Sequence, residues 1–392
     1  MRGNNFNLKH LSWLYLLATC CLWQVQAIEW TVPDAIGSVR SMASSIVDPK
    51  LLPTPQGFFE NSKNLIAGYP FEFISNSINT ICSQALSTRN IKSKYTPEIS
   101  QMSFQLRTPC HRYNFPLLQA EEMWKSPHFD PQKKVVILAT GWTTNVNDTD
   151  TIEAFAKAYN CRGDINFVAV DAAKFVDTLY TWSAFNTEEI GENIAHGLVK
   201  LLDSVPVENI HMIGHSLGAH IVGAAGRYLQ QMTGKVVPRI TGLDPAKPCF
   251  NEGEALSGLM RGDALFVDVI HSNSGVLGKR DPLGDVDFYP GGTNPLPTGC
   301  LTVVCAHARS WEYYAESIYP GNENNFMAVR CSSIQNLRES KCVTNESPMG
   351  YAAPNTLKGN YFLEVNGNAP FGRRSRQVRQ SQDSCGLCPQ TG

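Results

Sequence analysis

Short apolar runs recur along the middle of this chain, with room for a helix between one run and the next. They are typical of strands that are buried on both faces: Val135–Leu138, Phe167–Val170, Ile210–Ile213, Arg239–Gly242 and Leu265–Ile270. Within residues 187–202, apolar side chains repeat at helical spacing, which predicts an amphipathic helix. Strands that alternate with helices predict an α/β fold with a mostly parallel central sheet flanked by helices.

The pattern changes towards both ends of the chain, and this predicts four segments. Residues 1–27 combine basic Arg2 and Lys9 with a short apolar run, as a signal peptide does. Residues 28–97 carry weaker helical periodicity that prolines interrupt, which predicts a partly helical leader. Residues 98–370 hold the strands and helices of the main domain. Residues 371–392 are expected to form a disordered basic tail, whose arginines fit a processing site or a solvated segment equally well.

Composition narrows the class of protein. A formal net charge of -2 on 392 residues argues against a nucleic-acid partner. Twelve cysteines are present, and removal of the signal peptide leaves an even number, which suits disulfides in a secreted, extracellular protein. Two glycosylation sequons begin at Asn147 and Asn345. Spacing alone leaves open the pairing of six cysteines: Cys82, Cys110, Cys161, Cys249, Cys385 and Cys388.

Ser216 is the strongest candidate for a reactive side chain. It occupies the centre of Gly214-His215-Ser216-Leu217-Gly218, with an apolar strand before it and a run of small residues after it. A serine at a sharp turn from strand to helix has a strained backbone, and glycines two residues away allow the strand and helix to approach closely. A buried serine in a tight turn is the alternative reading.

A nucleophilic serine needs a histidine as base and a carboxylate to orient it, and in α/β-hydrolases these follow the serine in the order acid, then histidine. Beyond His220, four residues away in the same turn segment, only His271 and His307 follow Ser216. His271 ends a buried strand and is expected to be structural, which favours His307. Asp244 stands at the carboxyl end of a predicted strand, whereas Asp268 lies within one and is expected to be a buried hydrogen-bonding group.

Five motifs, in this order, resemble the signatures of the pancreatic lipase family. They are Gly214–His220, Gly242–Ala246, Phe266–His271, Asp287–Gly292 and Cys305–Ser310. The resemblance covers roughly residues 98–370 and ends with Asn360–Val365, which is similar to the last strand of the family's catalytic domain. It implies an α/β-hydrolase fold, with Ser216 as nucleophile, Asp244 as orienting acid and His307 as base. It also implies an oxyanion hole formed by the backbone N–H groups of Trp142 and Leu217.

By resemblance, the chain is expected to be a secreted lipase that hydrolyses carboxylic ester bonds of lipids without a cofactor. The lid of the triglyceride lipases lies between two cysteines, and here Cys300 and Cys305 enclose only four residues. No helix is expected in so short an insert, and Leu301, Val303 and Val304 are expected to form a small apolar rim. The loop from Ser272 to Leu283 is also shorter than in the pancreatic enzymes. Short loops are typical of the phospholipase A1 members.

Other departures from the family bear on partners and ions. Thr140 replaces the usual histidine of the oxyanion loop. No C-terminal β-sandwich is expected, and therefore no colipase partner is expected. Of the family's calcium ligands only Asp263 is matched, so no metal is expected. Insect yolk proteins share the fold but lack the nucleophile, which leaves a lipid-binding or storage protein as the alternative function.

Two disulfides are predicted beside the main motifs. Cys300 is expected to pair with Cys305, closing a tight loop next to His307. Cys331 is expected to pair with Cys342 around a polar loop. The choice between triglyceride and phospholipid, the acyl-chain preference and any protein partner are left open by the sequence.

Overall fold

The computed structural model of the chain describes residues 98–141, 150–172, 184–250, 256–339, 341–343, 345–375 and 384–389. The predicted signal peptide, the leader and Trp142 lie outside these residues. Within them, no helix is both long and apolar enough to span a bilayer. The elements are β1 (Ser103–Arg107), β2 (Arg112–Pro116), α1 (Glu121–Lys125), β3 (Lys134–Ala139), α2 (Asp150–Arg162), β4 (Ile165–Asp171), α3 (Thr187–Leu201), β5 (Ile210–His215), α4 (Leu217–Thr233), β6 (Arg239–Leu243), β7 (Val267–Ile270), β8 (Val286–Pro290), α5 (Val303–Ile318), β9 (Met327–Cys331), α6 (Ile334–Arg338), β10 (Glu346–Pro348) and β11 (Gly359–Leu363).

All strands of the described residues belong to one 11-stranded sheet, in the order β10-β9-β11-β8-β7-β6-β5-β3-β4-β1-β2. The seven central strands, from β11 to β4, run parallel to one another. Antiparallel strands complete both edges. This is the α/β-hydrolase fold that the sequence predicts, and β3 to β7 correspond to the five predicted apolar runs.

The parallel strands are apolar throughout because helices cover both faces of the sheet. In β3, Val135 and Ile137 pack into a core with α3 and α4, whereas Val136 and Leu138 pack into a second core with α2 and α5. Helix α3 begins at Thr187 as predicted, and its apolar stripe faces the first core.

The order of the strands reverses around β3, which lies between β5 and β4. Such a switch point leaves a crevice at the carboxyl ends of the strands, where open α/β sheets bind their ligands. Strand β5 pairs with β3 on one side and β6 on the other, in a register that aligns Ala139 with Gly214 and His215 with Leu243. The ends of β3, β5 and β6 therefore lie side by side, directly before Ser216 and Asp244.

The prediction of a disordered tail over residues 371–392 is wrong for residues 371–375 and 384–389. Phe371 is buried in the second core, and its backbone N–H donates to the Glu316 carboxylate at 2.6 Å. Further on, Cys385 is bonded to Cys161 and Cys388 to Cys110. The polar composition of the tail concealed these two covalent links to the domain.

Candidate active site

Ser216 occupies the sharp turn between β5 and α4, which we call the elbow. The backbone of Ser216 is strained. Its φ of 58° and ψ of -124° lie in a region that residues with a side chain rarely adopt. The flanking glycines allow this close turn, because a Cβ at Gly214 would collide with the backbone of Gly218. A Cβ at Gly218 would in turn collide with the carbonyl of Ala139 at the end of β3. The glycines therefore permit the tight packing of strand, helix and neighbouring strand that lifts Ser216 to the sheet edge.

Asp244 follows β6 directly and is fully buried. Its Oδ1 accepts hydrogen bonds from the backbone N–H groups of Ser272, at 2.8 Å, and Asn273, at 3.0 Å. The backbone of Gly278 lies against the same carboxylate so closely that a Cβ there would overlap its oxygens. These contacts hold the carboxyl group in one orientation and leave Oδ2 for another partner.

That partner is His307, on the second turn of α5. Its Nδ1 lies 2.6 Å from Asp244 Oδ2. Because a carboxylate only accepts hydrogen bonds, Nδ1 carries the proton in this pair and a neutral ring has Nε2 free to accept one. The His307 side chain is 14% exposed, so the ring reaches the surface beside the elbow. Asp244 and His307 thus make the contact that the predicted triad requires between its acid and its base.

His215 links the elbow to the helix that carries His307. Its Nε2 lies 3.2 Å from the His307 carbonyl oxygen, and the two rings are 4.7 Å apart between centroids. Burial, and then the neighbouring His307, lowers the pKa of His215, which keeps the ring neutral and able to donate this hydrogen bond. Ser310 Oγ donates to the same carbonyl at 3.0 Å.

Ser216 Oγ makes no hydrogen bond within the described residues. Hydrogen bonds of this kind are often long in enzymes without substrate and shorten when the substrate binds. The end of β3 lies against Ser216, because a Cβ at Gly141 would come within 2.5 Å of the serine Cβ.

Leu217 is the first residue of α4, and its backbone N–H has no acceptor in the part of the chain that the structure describes. The first N–H groups of a helix lack partners inside the helix, and the helix dipole there favours negative charge. Trp142, the other predicted donor, follows Gly141 directly but lies outside the described residues.

The two alternative side chains have structural partners. Both Asp268 oxygens accept from the Arg239 guanidinium at 2.8 Å, and Thr241 Oγ1 donates to Oδ1 at 2.7 Å. His271 is fully buried, with Nε2 2.9 Å from Asp287 Oδ1 and Nδ1 2.7 Å from the Lys279 carbonyl oxygen. As predicted, neither side chain joins Ser216.

His220 is a site-supporting residue that the sequence analysis did not single out, although it closes the motif Gly214–His220. Its Nδ1 accepts from the Leu259 N–H at 2.9 Å, and its Nε2 donates to the Ala246 carbonyl at 2.7 Å. The ring stacks on Phe250 with 3.8 Å between centroids. Burial lowers the pKa of His220 to about 3, so the ring is neutral. Because the Ala246 N–H bonds the Ser216 carbonyl, at 3.2 Å, His220 anchors a segment that supports the elbow.

Both predicted disulfides, Cys300–Cys305 and Cys331–Cys342, are present. The expectation that no helix enters the first loop is wrong, because α5 begins at Val303 and Thr302 Oγ1 caps it by accepting from the Cys305 N–H. Val303 is consequently buried and does not belong to the predicted rim. Leu301 is 91% exposed and Val304 61% exposed.

Asp263, the one matched carboxylate of the calcium site, already has a cationic partner. The Arg227 guanidinium donates to both its oxygens at 2.8 Å, and also to Glu188 at 2.6 Å. Among the described residues, no three His, Cys, Asp or Glu side chains are grouped so that they could hold a metal ion.

Comparison with known proteins places this geometry in a family. Vitellogenin-2 of Ceratitis capitata is 29% identical over 407 residues, which cover 93% of this chain and 96% of that protein. Vitellogenin-3 of Drosophila melanogaster is 37% identical over 233 residues, 59% of this chain and 55% of that protein. Pancreatic lipase-related protein 2 of Rattus norvegicus is 33% identical over 278 residues, 63% of this chain and 58% of that protein.

The chain thus spans little more than half the length of the Drosophila and rat relatives but nearly all of the Ceratitis protein. The profile of the lipase family matches residues 72–371, and so starts within the predicted leader. The match includes the elbow, the buried acid and the histidine that it contacts. By this match over most of its length, and by the α/β-hydrolase sheet that carries these residues, the chain belongs to the lipase family.

Proposed function

We propose that this protein is a secreted enzyme that hydrolyses carboxylic ester bonds of lipids. The contact of 2.6 Å between His307 Nδ1 and the buried Asp244 carboxylate, beside the strained Ser216, carries the proposal. A storage role gives no reason to bury a carboxylate under two N–H donors and aim its free oxygen at a histidine. The disulfides agree with an oxidising, extracellular compartment.

In the proposed reaction, His307 Nε2 takes the proton of Ser216 as the serine oxygen attacks the ester carbonyl carbon. The tetrahedral oxyanion accepts from the N–H groups of Leu217 and Trp142. His307 then gives its proton to the leaving alcohol oxygen as the carbon–oxygen bond breaks, which leaves an acyl-enzyme. Water, deprotonated by His307, attacks that ester, and the products are a fatty acid and the free serine.

For the substrate, we propose phospholipid or a triglyceride that reaches the site without a lid. The loop between Cys300 and Cys305 is too short to cover the mouth, and the loop from Ser272 to Leu283 is held down on Asp244. The exposed Leu301 and Val304 form a small apolar rim that can touch a lipid surface.

The alternative function is lipid binding or storage with weak catalysis. It is favoured by one observation, the similarity to Ceratitis vitellogenin-2 along 93% of this chain, which includes the leader.

The two functions are separated by assaying the secreted protein on a triglyceride and a phosphatidylcholine with the same acyl chains, beside its Ser216→Ala variant. We expect the wild-type protein to hydrolyse at least one of the lipids, and we expect the rate of hydrolysis to be lower on the order of 10^4-fold or more in the variant. Equal release of fatty acid by the two proteins would refute the nucleophile and favour storage. The better of the two lipids would settle the substrate class.

A further inference from the structure

Two cationic side chains meet at Gly275, in the loop from Ser272 to Leu283. Lys247 Nζ donates to the Gly275 carbonyl at 2.7 Å. The Arg280 guanidinium lies against the same residue, since a Cβ at Gly275 would come within 2.7 Å of its Nη2. An ammonium and a guanidinium are thus brought to one glycine from different parts of the chain.

The Asp281 carboxylate acts on Lys247 electrostatically, but among the described residues neither Lys247 nor Arg280 takes part in an ion pair. The guanidinium of Arg280 donates to no acceptor there, and its Nε is shielded from solvent without a partner. Burial lowers the pKa of Lys247, the charge of Arg280 lowers it further, and the charge of Asp281 raises it by less. A buried donor without an acceptor and two neighbouring like charges both disfavour the empty arrangement, so an anion between them would stabilise it.

The pair also adjoins the candidate active site. Lys247 follows Ala246, whose N–H donates to the Ser216 carbonyl. Arg280 is two residues from Gly278, which contacts the Asp244 carboxylate. An anion held here would therefore lie beside the two segments that support Ser216 and Asp244.

We propose that Lys247 and Arg280 form a binding site for a phosphate group. A guanidinium can donate two parallel hydrogen bonds to phosphate oxygens, and an ammonium adds a point charge. The tetrahedral phosphate presents oxygens to both at once. The source is a phospholipid head group or free phosphate. The first source rests on the proposed function and would bring the acyl ester of the same lipid towards Ser216.

The test uses the full-length Ser216→Ala protein, so that binding is measured without hydrolysis. Inorganic phosphate is titrated by calorimetry in one arm, and phosphatidylglycerol vesicles are tested by flotation in the other. Arg280→Gln is the main variant, because its guanidinium has no protein acceptor to lose and the fold should be kept. Lys247→Met/Arg280→Gln removes both charges. Lys134→Met/Lys235→Met removes two exposed charges elsewhere as the matched control.

We expect Arg280→Gln to weaken binding of at least one probe about tenfold, the scale of one charge-assisted hydrogen bond, and the double variant to weaken it more. Loss in the vesicle arm alone identifies a lipid head group as the ligand, and loss in both arms identifies the phosphate itself. The proposal is overturned if neither arm responds, or if the control variant loses as much. Because the background lacks the nucleophile, this result is independent of whether the wild-type protein hydrolyses lipids.

Discussion

At the scale of single residues, chain order and strand ends were enough to select Ser216, Asp244 and His307 as candidates. The order serine, acid, histidine left few choices. Asp244 stood at the carboxyl end of a predicted strand, and His307 was favoured because His271 was expected to be structural. The N–H groups of Ser272 and Asn273 that hold Asp244 could not be predicted. Backbone groups are the same in every residue, so only the folded loop reveals which of them face the acid.

Substitution of Asp244 should lower activity, whereas substitution of Asp268 should lower stability. Asp244→Asn can still accept from Ser272 and Asn273, but its amide would donate to His307 and reverse the tautomer. We expect a folded protein with activity lower on the order of 10^4-fold. Asp268→Asn breaks the bidentate pair with Arg239 and should lower the free energy of unfolding by roughly 3–5 kcal/mol.

Ester hydrolysis and urea unfolding of the two variants, measured side by side, check this. An inactive but stable Asp268→Asn, or an active Asp244→Asn, would move the orienting acid to Asp268. Thr241→Val is a useful further control, because it removes a hydrogen bond to Asp268 without removing the charge.

His220 should make stability depend on pH. Its pKa is about 3 in the folded protein and about 6.5 when exposed. Between these values the unfolded chain binds a proton that the folded chain does not. The contribution of neutral His220 to the free energy of unfolding is therefore complete above pH 6.5 and is lost as the pH falls towards 3. The slope that one such group adds is about 1.36 kcal/mol per pH unit.

Urea unfolding at several pH values from 7.5 to about 4 measures this slope. His220→Asn should flatten it by up to that amount, whereas His196→Asn, at an exposed position of α3, should leave it as in the wild type. Identical slopes in all three proteins would mean that the pKa of His220 is the same in the folded and unfolded states.

At the scale of elements, the central strands were predictable and the edge strands were not. Strands β3 to β7 are covered on both faces, so their apolar runs are continuous. Strand β2 alternates between exposed and half-buried positions at the sheet edge, and its sequence Arg112–Pro116 does not stand out from a loop. No helix was expected inside the cysteine loop, yet α5 begins within it, because Thr302 caps the first turn. One capping residue thus changed which side chains form the rim.

The short loop should abolish interfacial activation. A long lid covers the apolar mouth in water and opens at a lipid surface, so that activity rises sharply above the solubility limit of the substrate. Here the disulfide ties Leu301 to the first turn of α5, and no segment between the two cysteines is free to cover His307.

Rates on a short-chain ester, measured from below to above its solubility limit, should rise smoothly to saturation. A break in the curve at that limit would indicate that another segment, such as the leader, acts as a lid. Cys300→Ser/Cys305→Ser offers a comparison in which the loop is released.

At the scale of the whole molecule, several contacts that join distant segments are charged or covalent. Arg227 joins α4 to Glu188 on α3 and to Asp263 on the loop before β7. The sequence showed Asp263 as the remnant of a calcium site but not that a guanidinium already neutralises it. Long-range pairing of this kind depends on helix packing, which local patterns do not determine.

Stability should therefore be indifferent to calcium. A calcium ion takes six or more oxygen ligands, and Asp263 already binds Arg227 through both oxygens. Thermal unfolding with a chelator and with added calcium should give the same melting temperature. A drop of several degrees with chelator that calcium reverses would contradict this, whereas a drop that persists would reflect the chelator alone.

The two disulfides of the C-terminal segment bear on what the arginines of that segment can do. Cys385 and Cys388 are fastened to Cys161 and Cys110, more than two hundred positions earlier in the chain. A protease that cut at the arginines after Phe371 would therefore release nothing. The product of a single cut would be a two-chain protein, heavier by one water, whose small fragment separates on a gel only after reduction. Maturation of that kind would leave the band on a non-reducing gel where it was.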